Sequence, residues 1–130
     1  MSTRAPPRRT ILVVDDDDDI RATLSLVLSG EGYAVREAAN GRDALLELQE
    51  RAALPDLILL DLMMPVMDGW QFRARAKKEK RLARIPTIVL TASPQNDLGV
   101  PPVAGRLRKP VDLEELLGTI ARVCGPGAAN

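Results

Sequence analysis

Short apolar runs alternate along this chain with longer stretches whose apolar residues recur at helical spacing. Thr10-Ile-Leu-Val-Val14 is β-branched and predicts a buried strand. Five consecutive aspartates, Asp15 to Asp19, follow it. Ile20, Leu24, Val27 and Leu28 then keep helical spacing until Gly30 and Gly32 stop the helix. Tyr33-Ala-Val-Arg-Glu-Ala38 alternates more loosely, as an edge strand does. Asn40-Gly41 opens a helix with Ala44, Leu45 and Leu48 on one face, closed by Leu54-Pro55. In Asp56-Leu-Ile-Leu-Leu-Asp61, four consecutive apolar residues between two carboxylates predict a strand covered on both faces. Pro65 and Asp68-Gly69 turn the chain, with Asp68 placed to cap a helix over about 69–83. Pro86-Thr-Ile-Val-Leu-Thr91 is a fourth strand, and a short fifth lies around Arg106–Arg108. The last helix starts at Asp112, with Glu115 completing a capping-box-like start, and Leu113, Leu116, Leu117 and Ile120 form its stripe. Gly125-Pro126-Gly127 ends it.

Strand and helix alternate throughout, which predicts an α/β fold: a five-stranded parallel sheet with right-handed crossovers and helices on both faces. There are no internal repeats and no linker that splits the chain. At 130 residues this is one domain, expected over 10–124, with a flexible basic arm at 1–9 and a tail at 125–130.

Composition removes several function classes. Lys plus Arg and Asp plus Glu both number 18, so no basic footprint for nucleic acid stands out. The basic residues of the 69–83 helix (Arg73, Arg75, Lys77, Lys78, Lys80, Arg81) read as a solvated face. Aromatic content of 2% leaves no stacking platform for single strands. No apolar run is long enough to span a membrane, and Met1–Thr10 lacks the core of a signal peptide, so the expected compartment is the cytoplasm. The single cysteine, Cys124, reads as a small core hydrophobe on the last helix. With no histidine in the chain, histidine triads, the usual zinc sites and phosphohistidine are excluded.

The candidate chemistry lies where the strands end. Asp15 and Asp16 end the first strand, Asp61 the third, Thr91 the fourth and Lys109 the fifth. In a parallel sheet those ends share one edge, the edge where ligands sit. Two like charges 4 Å apart repel by roughly 4 kcal/mol at an effective dielectric of 20, so the carboxylates call for a cation. An all-oxygen, water-accessible site without His or Cys suits Mg2+, which accepts phosphate as a co-ligand. A carboxylate beside Mg2+, an ammonium and a hydroxyl is an arrangement for accepting a phosphoryl group.

These motifs resemble the receiver domains of two-component response regulators. The resemblance covers about residues 10–124 and rests on ILVVDDD at 11–17, DLILLDLMMPVMDG at 56–69, IPTIVLTA at 85–92 and KP at 109–110. It implies a doubly wound, flavodoxin-like sheet in the order 2-1-3-4-5. It also implies that Asp61 is the phospho-acceptor and that Asp15, Asp16 and Asp61 hold Mg2+, Asp16 directly. The backbone carbonyl of Met63 would complete the protein ligands. Lys109 would pair with the acceptor and then with the phosphoryl group, while Thr91 would swing to bond a phosphoryl oxygen. Asp17 to Asp19 carry no such role and read as a solvated loop and helix N-terminus. The partners implied are a histidine kinase or phosphotransfer protein and an unknown downstream protein, with no enzymatic activity beyond autocatalytic phosphoryl transfer and slow autodephosphorylation.

Two departures bear on output. Only 17 residues separate Thr91 from Lys109, among them Pro94, Gly99, Pro101, Pro102 and Gly105, where the family has a helix between its fourth and fifth strands. Proline and glycine disfavour helix by about 3 and 1 kcal/mol per residue, so a loop is expected, with at most a turn of helix near Pro94–Leu98. The family's aromatic three residues before the Lys is here Arg106, so the aromatic half of the usual switch is absent and the usual dimer face loses support. The chain ends at Asn130, shortly after the last helix, and a stand-alone receiver that docks on a partner or passes its phosphoryl group along a relay is expected. The main alternative is a receiver-fold interaction module acting without phosphorylation. A small haloacid-dehalogenase-like phosphatase, with Asp15 as nucleophile, lacks the acidic pair after a later strand. A flavodoxin-like electron carrier lacks the phosphate loop after the first strand.

Overall fold

The computed structural model describes residues 8–92 and 103–127. The order of elements is β1 (Thr10–Val14), α1 (Asp18–Gly30), β2 (Ala34–Ala38), α2 (Gly41–Glu50) and β3 (Leu57–Asp61). After these come α3 (Gly69–Lys77), α4 (Lys80–Ala83), β4 (Thr87–Thr91), β5 (Gly105–Arg108) and α5 (Leu113–Cys124). All neighbouring strands pair in parallel, in the order β2-β1-β3-β4-β5, the doubly wound topology expected. The expected loop or helical turn near Pro94–Leu98 lies outside the described residues, as does most of the expected basic arm.

Alternation along each strand divides the core in two, because successive side chains point to opposite faces. Ile11, Val13, Leu57, Leu59, Ile88, Leu90 and Leu107 meet Leu24 and Leu28 of α1 and Leu116 and Ile120 of α5. On the other face Leu12, Val14, Ile58 and Leu60 meet Ala44, Leu45 and Leu48 of α2 and Phe72 and Ala76 of α3. β3 is central and all five of its residues are buried, which is why its sequence is unbroken by polar residues before Asp61.

The helix expected over about 69–83 is interrupted. The amides of Lys78 and Glu79 turn back to the carbonyls of Arg75 and Ala76, and Glu79 is extended (φ −107°, ψ 116°) before α4 begins. Helical phase supplies the reason: at about 100° per residue, Leu82 would lie roughly 120° around the helix from Ala76. The break swings Leu82 back under the sheet, where it is buried in the same cluster as Phe72, Ala76 and Ile85.

Local signals fix the segment that carries Asp61 toward α3. The Asp68 side chain accepts the Gln71 amide while the Gln71 side chain accepts the Asp68 amide, a reciprocal capping box. Gly69 is required by close approach: a Cβ there would sit 2.8 Å from the Leu62 Cα and 2.9 Å from the Asp61 carbonyl oxygen. The start of α3 can therefore lie directly against the end of β3.

Candidate functional site

Three strand ends meet at one edge of the sheet. Asp15 follows β1 and is fully buried, Asp61 closes β3 with 4% of its surface exposed, and Asp16 is exposed beside them. One carboxylate oxygen from each of Asp15, Asp16 and Asp61 falls within 4.8 Å of the others. Lys109, just past β5, reaches in between: its Nζ lies 3.1 Å from Asp15 Oδ2 and 3.3 Å from Asp61 Oδ2. The Lys109–Pro110 peptide is cis.

The backbone orients these groups. The Met63 amide donates to Asp61 Oδ1 at 3.2 Å, and the Asp17 amide donates to Asp15 Oδ1 at 2.9 Å. Thr91, buried at the end of β4, receives the Lys109 amide on its carbonyl at 2.9 Å, which sets the two residues side by side. Every residue singled out from the sequence (Asp15, Asp16, Asp61, Met63, Thr91 and Lys109) thus lies at this edge.

The electrostatics reflect burial. Burial pushes the Asp61 carboxyl from the ordinary 3.8 up to about 6; Lys109 and the Met63 amide pull it down, and Asp15 adds to the rise. Burial alone would lower the Lys109 ammonium, but the facing carboxylates Asp61 and Asp15 outweigh it and hold its pKa above the ordinary value. With one ammonium against three carboxylates the cluster keeps a net charge of −2 when all are ionised. A hard divalent cation with oxygen ligands fits that deficit, and the exposed side of Asp16 leaves room for its waters.

Asp17 takes the place at the helix N-terminus expected of it, but its part in aiming Asp15, and that of Arg21, were not anticipated from the sequence. Asp17 caps α1, its side chain accepting from the amides of Asp19 and Ile20, and its own amide aims Asp15. Arg21, on the first turns of α1, donates from Nη1 to the Asp15 carbonyl at 2.7 Å, from Nη2 to Asp18 at 2.6 Å and from Nε to Glu37 at 3.1 Å. Its only sequence signal is its position six residues after Asp15, because Glu37 comes from a separate strand.

A family model for the response regulator receiver domain matches residues 11–121. The chain is 39% identical over 98 residues to the gliding motility regulatory protein of Myxococcus xanthus, covering 72% of this chain and 12% of that protein. It is 36% identical over 108 residues to protein PilH of Pseudomonas aeruginosa, covering 77% of this chain and 84% of that protein. Against four other curated regulators it spans between 41% and 54% of their length. Among solved structures, response regulator protein TrrA of Thermotoga maritima, in complex with Mg2+-BeF, superposes with a TM-score of 0.78 at 31% identity. That superposition covers 88% of this chain and 98% of TrrA. Among the described residues no helix is long and apolar enough to cross a membrane.

Proposed function

The chain belongs to the response regulator receiver domain family, and from that premise we propose that it takes a phosphoryl group onto Asp61 in a Mg2+-dependent reaction. Receiver domains of two-component systems are signalling modules that bind Mg2+ at an acidic pocket and work with histidine kinases or phosphotransfer proteins and downstream targets. The observation that carries the reading is the position of the Lys109 Nζ, within 3.3 Å of both Asp15 and Asp61 while Asp16 closes the carboxylate cluster.

In this reading Asp61 is the nucleophile. A carboxylate oxygen of Asp61 forms the new bond to phosphorus as the bond from phosphorus to the donor's nitrogen or oxygen breaks, and the donor leaves with that electron pair. The Met63 amide holds one Asp61 oxygen so that the other faces the incoming group. Asp15, Asp16, Asp61 and the Met63 carbonyl would hold Mg2+, which supplies neutralisation of charge on the transferring oxygens. Lys109 sits where an ammonium can follow that charge from the carboxylate to the phosphoryl oxygens. Thr91, adjacent through its carbonyl, is assigned the hydroxyl that bonds a phosphoryl oxygen and reports the change. Output in this reading is docking on a downstream partner or relay of the phosphoryl group.

Incubation with acetyl phosphate and Mg2+, read by intact mass, tests the assignment. Wild type should gain one phosphoryl group, and Asp61→Asn should gain none. No adduct on wild type would leave the alternative of a receiver-fold module acting without phosphorylation, whose supporting observation is the exposed Arg106 on β5.

A further inference from the structure

Arg21 is a larger part of the site than its place outside the carboxylate cluster suggests. Its side chain is only 16% exposed, and its guanidinium joins three separate pieces of chain. Nη1 grips the carbonyl of Asp15, Nη2 pairs with Asp18 at the start of α1, and Nε pairs with Glu37 near the end of β2. Only a planar fork with several donors can serve three acceptors in fixed directions at once.

The Asp15 carbonyl belongs to the peptide that leads into Asp16. Asp15 is secured twice over, by the Lys109 ammonium and by the Asp17 amide, while its own amide donates to the Ala38 carbonyl at 3.2 Å. Asp16 has no such support: it is exposed, and among the described residues no hydrogen bond or ion pair holds its carboxylate. Its direction follows from the backbone of residues 15–17, which the Asp17 amide ties to Asp15 Oδ1 and the Arg21 side chain ties, through the Asp15 carbonyl, to Asp18 and Glu37.

We propose that Arg21 is a positioning residue that aims Asp16 into the carboxylate cluster by clamping the 15–16 peptide to β2 and α1. The inference rests on the reading of Asp15, Asp16 and Asp61 as a cation-binding set. It also reverses the effect that charge alone would have. A guanidinium near the cluster repels a divalent cation, so by Coulomb's law its removal strengthens binding. As a clamp its removal weakens binding, and outer-shell partners that orient metal ligands typically contribute ~10- to 100-fold in affinity.

Isothermal titration of the full chain with Mg2+ therefore separates the two roles by sign. Arg21→Met should bind Mg2+ about 10-fold more weakly than wild type, the lower end of that range, with Arg21→Lys between them because it keeps the charge and loses the fork. Equal or tighter binding by Arg21→Met overturns the proposal. Amide hydrogen exchange without metal gives a second readout. Exchange at Asp17, whose amide bonds to Asp15, should accelerate in Arg21→Met while amides of β1 and β3 keep their protection. Unchanged Asp17 exchange counts against the clamp, and general loss of protection marks a merely structural role and overturns it. Where wild type fails to bind Mg2+ yet Asp17 exchange accelerates in the variant, the metal reading falls and the clamp on the loop stands. Should Arg21→Met not fold, Arg21→Lys carries both measurements.

Discussion

The segment from β3 into α3 and the strand β5 both deliver a charged residue to the same edge, Asp61 and Lys109, but they are built on opposite terms. β3 lies at the centre of the sheet with every residue buried, and the connection from it to α3 is held by a capping box and a glycine in close contact. β5 is an edge strand of four residues that buries only Leu107, with Arg106 and Arg108 exposed. The secure segment is also the one that carries unfavourable features, a buried carboxylate and a strained turn at Val66. Unfavourable groups persist where the surrounding packing over-determines them, and such places are typically functional.

Core truncation gives the largest expected effects. Leu60→Ala removes a fully buried side chain from the central strand and should cost about 3–4 kcal/mol, the middle of the range for buried leucines. Leu107→Ala should cost about 2 kcal/mol, because an edge strand can settle into the space. Urea unfolding of both variants measures the gap. Equal losses would mean that β5 is held as firmly as β3 and would erase the contrast.

The same contrast governs what the sequence reveals. Leu57 to Leu60 predict their strand because burial on both faces leaves no room for polar residues, and Asp68 predicts its cap because a cap works through neighbours in the chain. Four motif segments placed the carboxylates and Lys109 at one edge because topology alone brings strand ends together. The interruption at Lys78–Glu79 was not legible, since no proline or glycine marks it and only the burial of Leu82 demands it. The role of Arg21 was hidden for a related reason: Glu37 lies 16 residues away, and the Asp15 acceptor is a backbone carbonyl.

Charge burial gives the next effect, and its sign is opposite. Asp61 binds its proton more tightly in the folded chain, with a pKa of about 6, than at the ordinary 3.8. Below about pH 4 the carboxyl is neutral in both states and costs nothing; as pH rises from about 4 to 6 the unfolded state ionises first and stability falls. At pH 7, without Mg2+, Asp61→Asn should therefore raise stability by on the order of 2 kcal/mol, and the gain should vanish near pH 4. Thermal melting across pH 4–7 measures it, and Mg2+ should stabilise wild type more than the variant. A variant less stable than wild type at pH 7 would show that the Lys109 pairing outweighs the cost of burial.

The smallest effect lies in the turn between β3 and α3. The Met67 amide donates to the Pro65 carbonyl at 2.8 Å across Val66, whose φ is +69°, a three-residue γ-turn of the strained hand. A β-branched residue resists positive φ, yet Val66 is 74% exposed and gains little burial in return. The turn is imposed from both sides: Pro65 restricts the chain before it, and the Met67 carbonyl accepts the Gly41 amide of α2 at 2.9 Å. Asparagine adopts positive φ more readily, so Val66→Asn should stabilise the chain by about 1 kcal/mol. The urea midpoint should rise with an unchanged slope, since the surface exposed on unfolding is the same. A loss instead would mean that the apolar side chain contributes more by packing beside Met67 than its backbone costs.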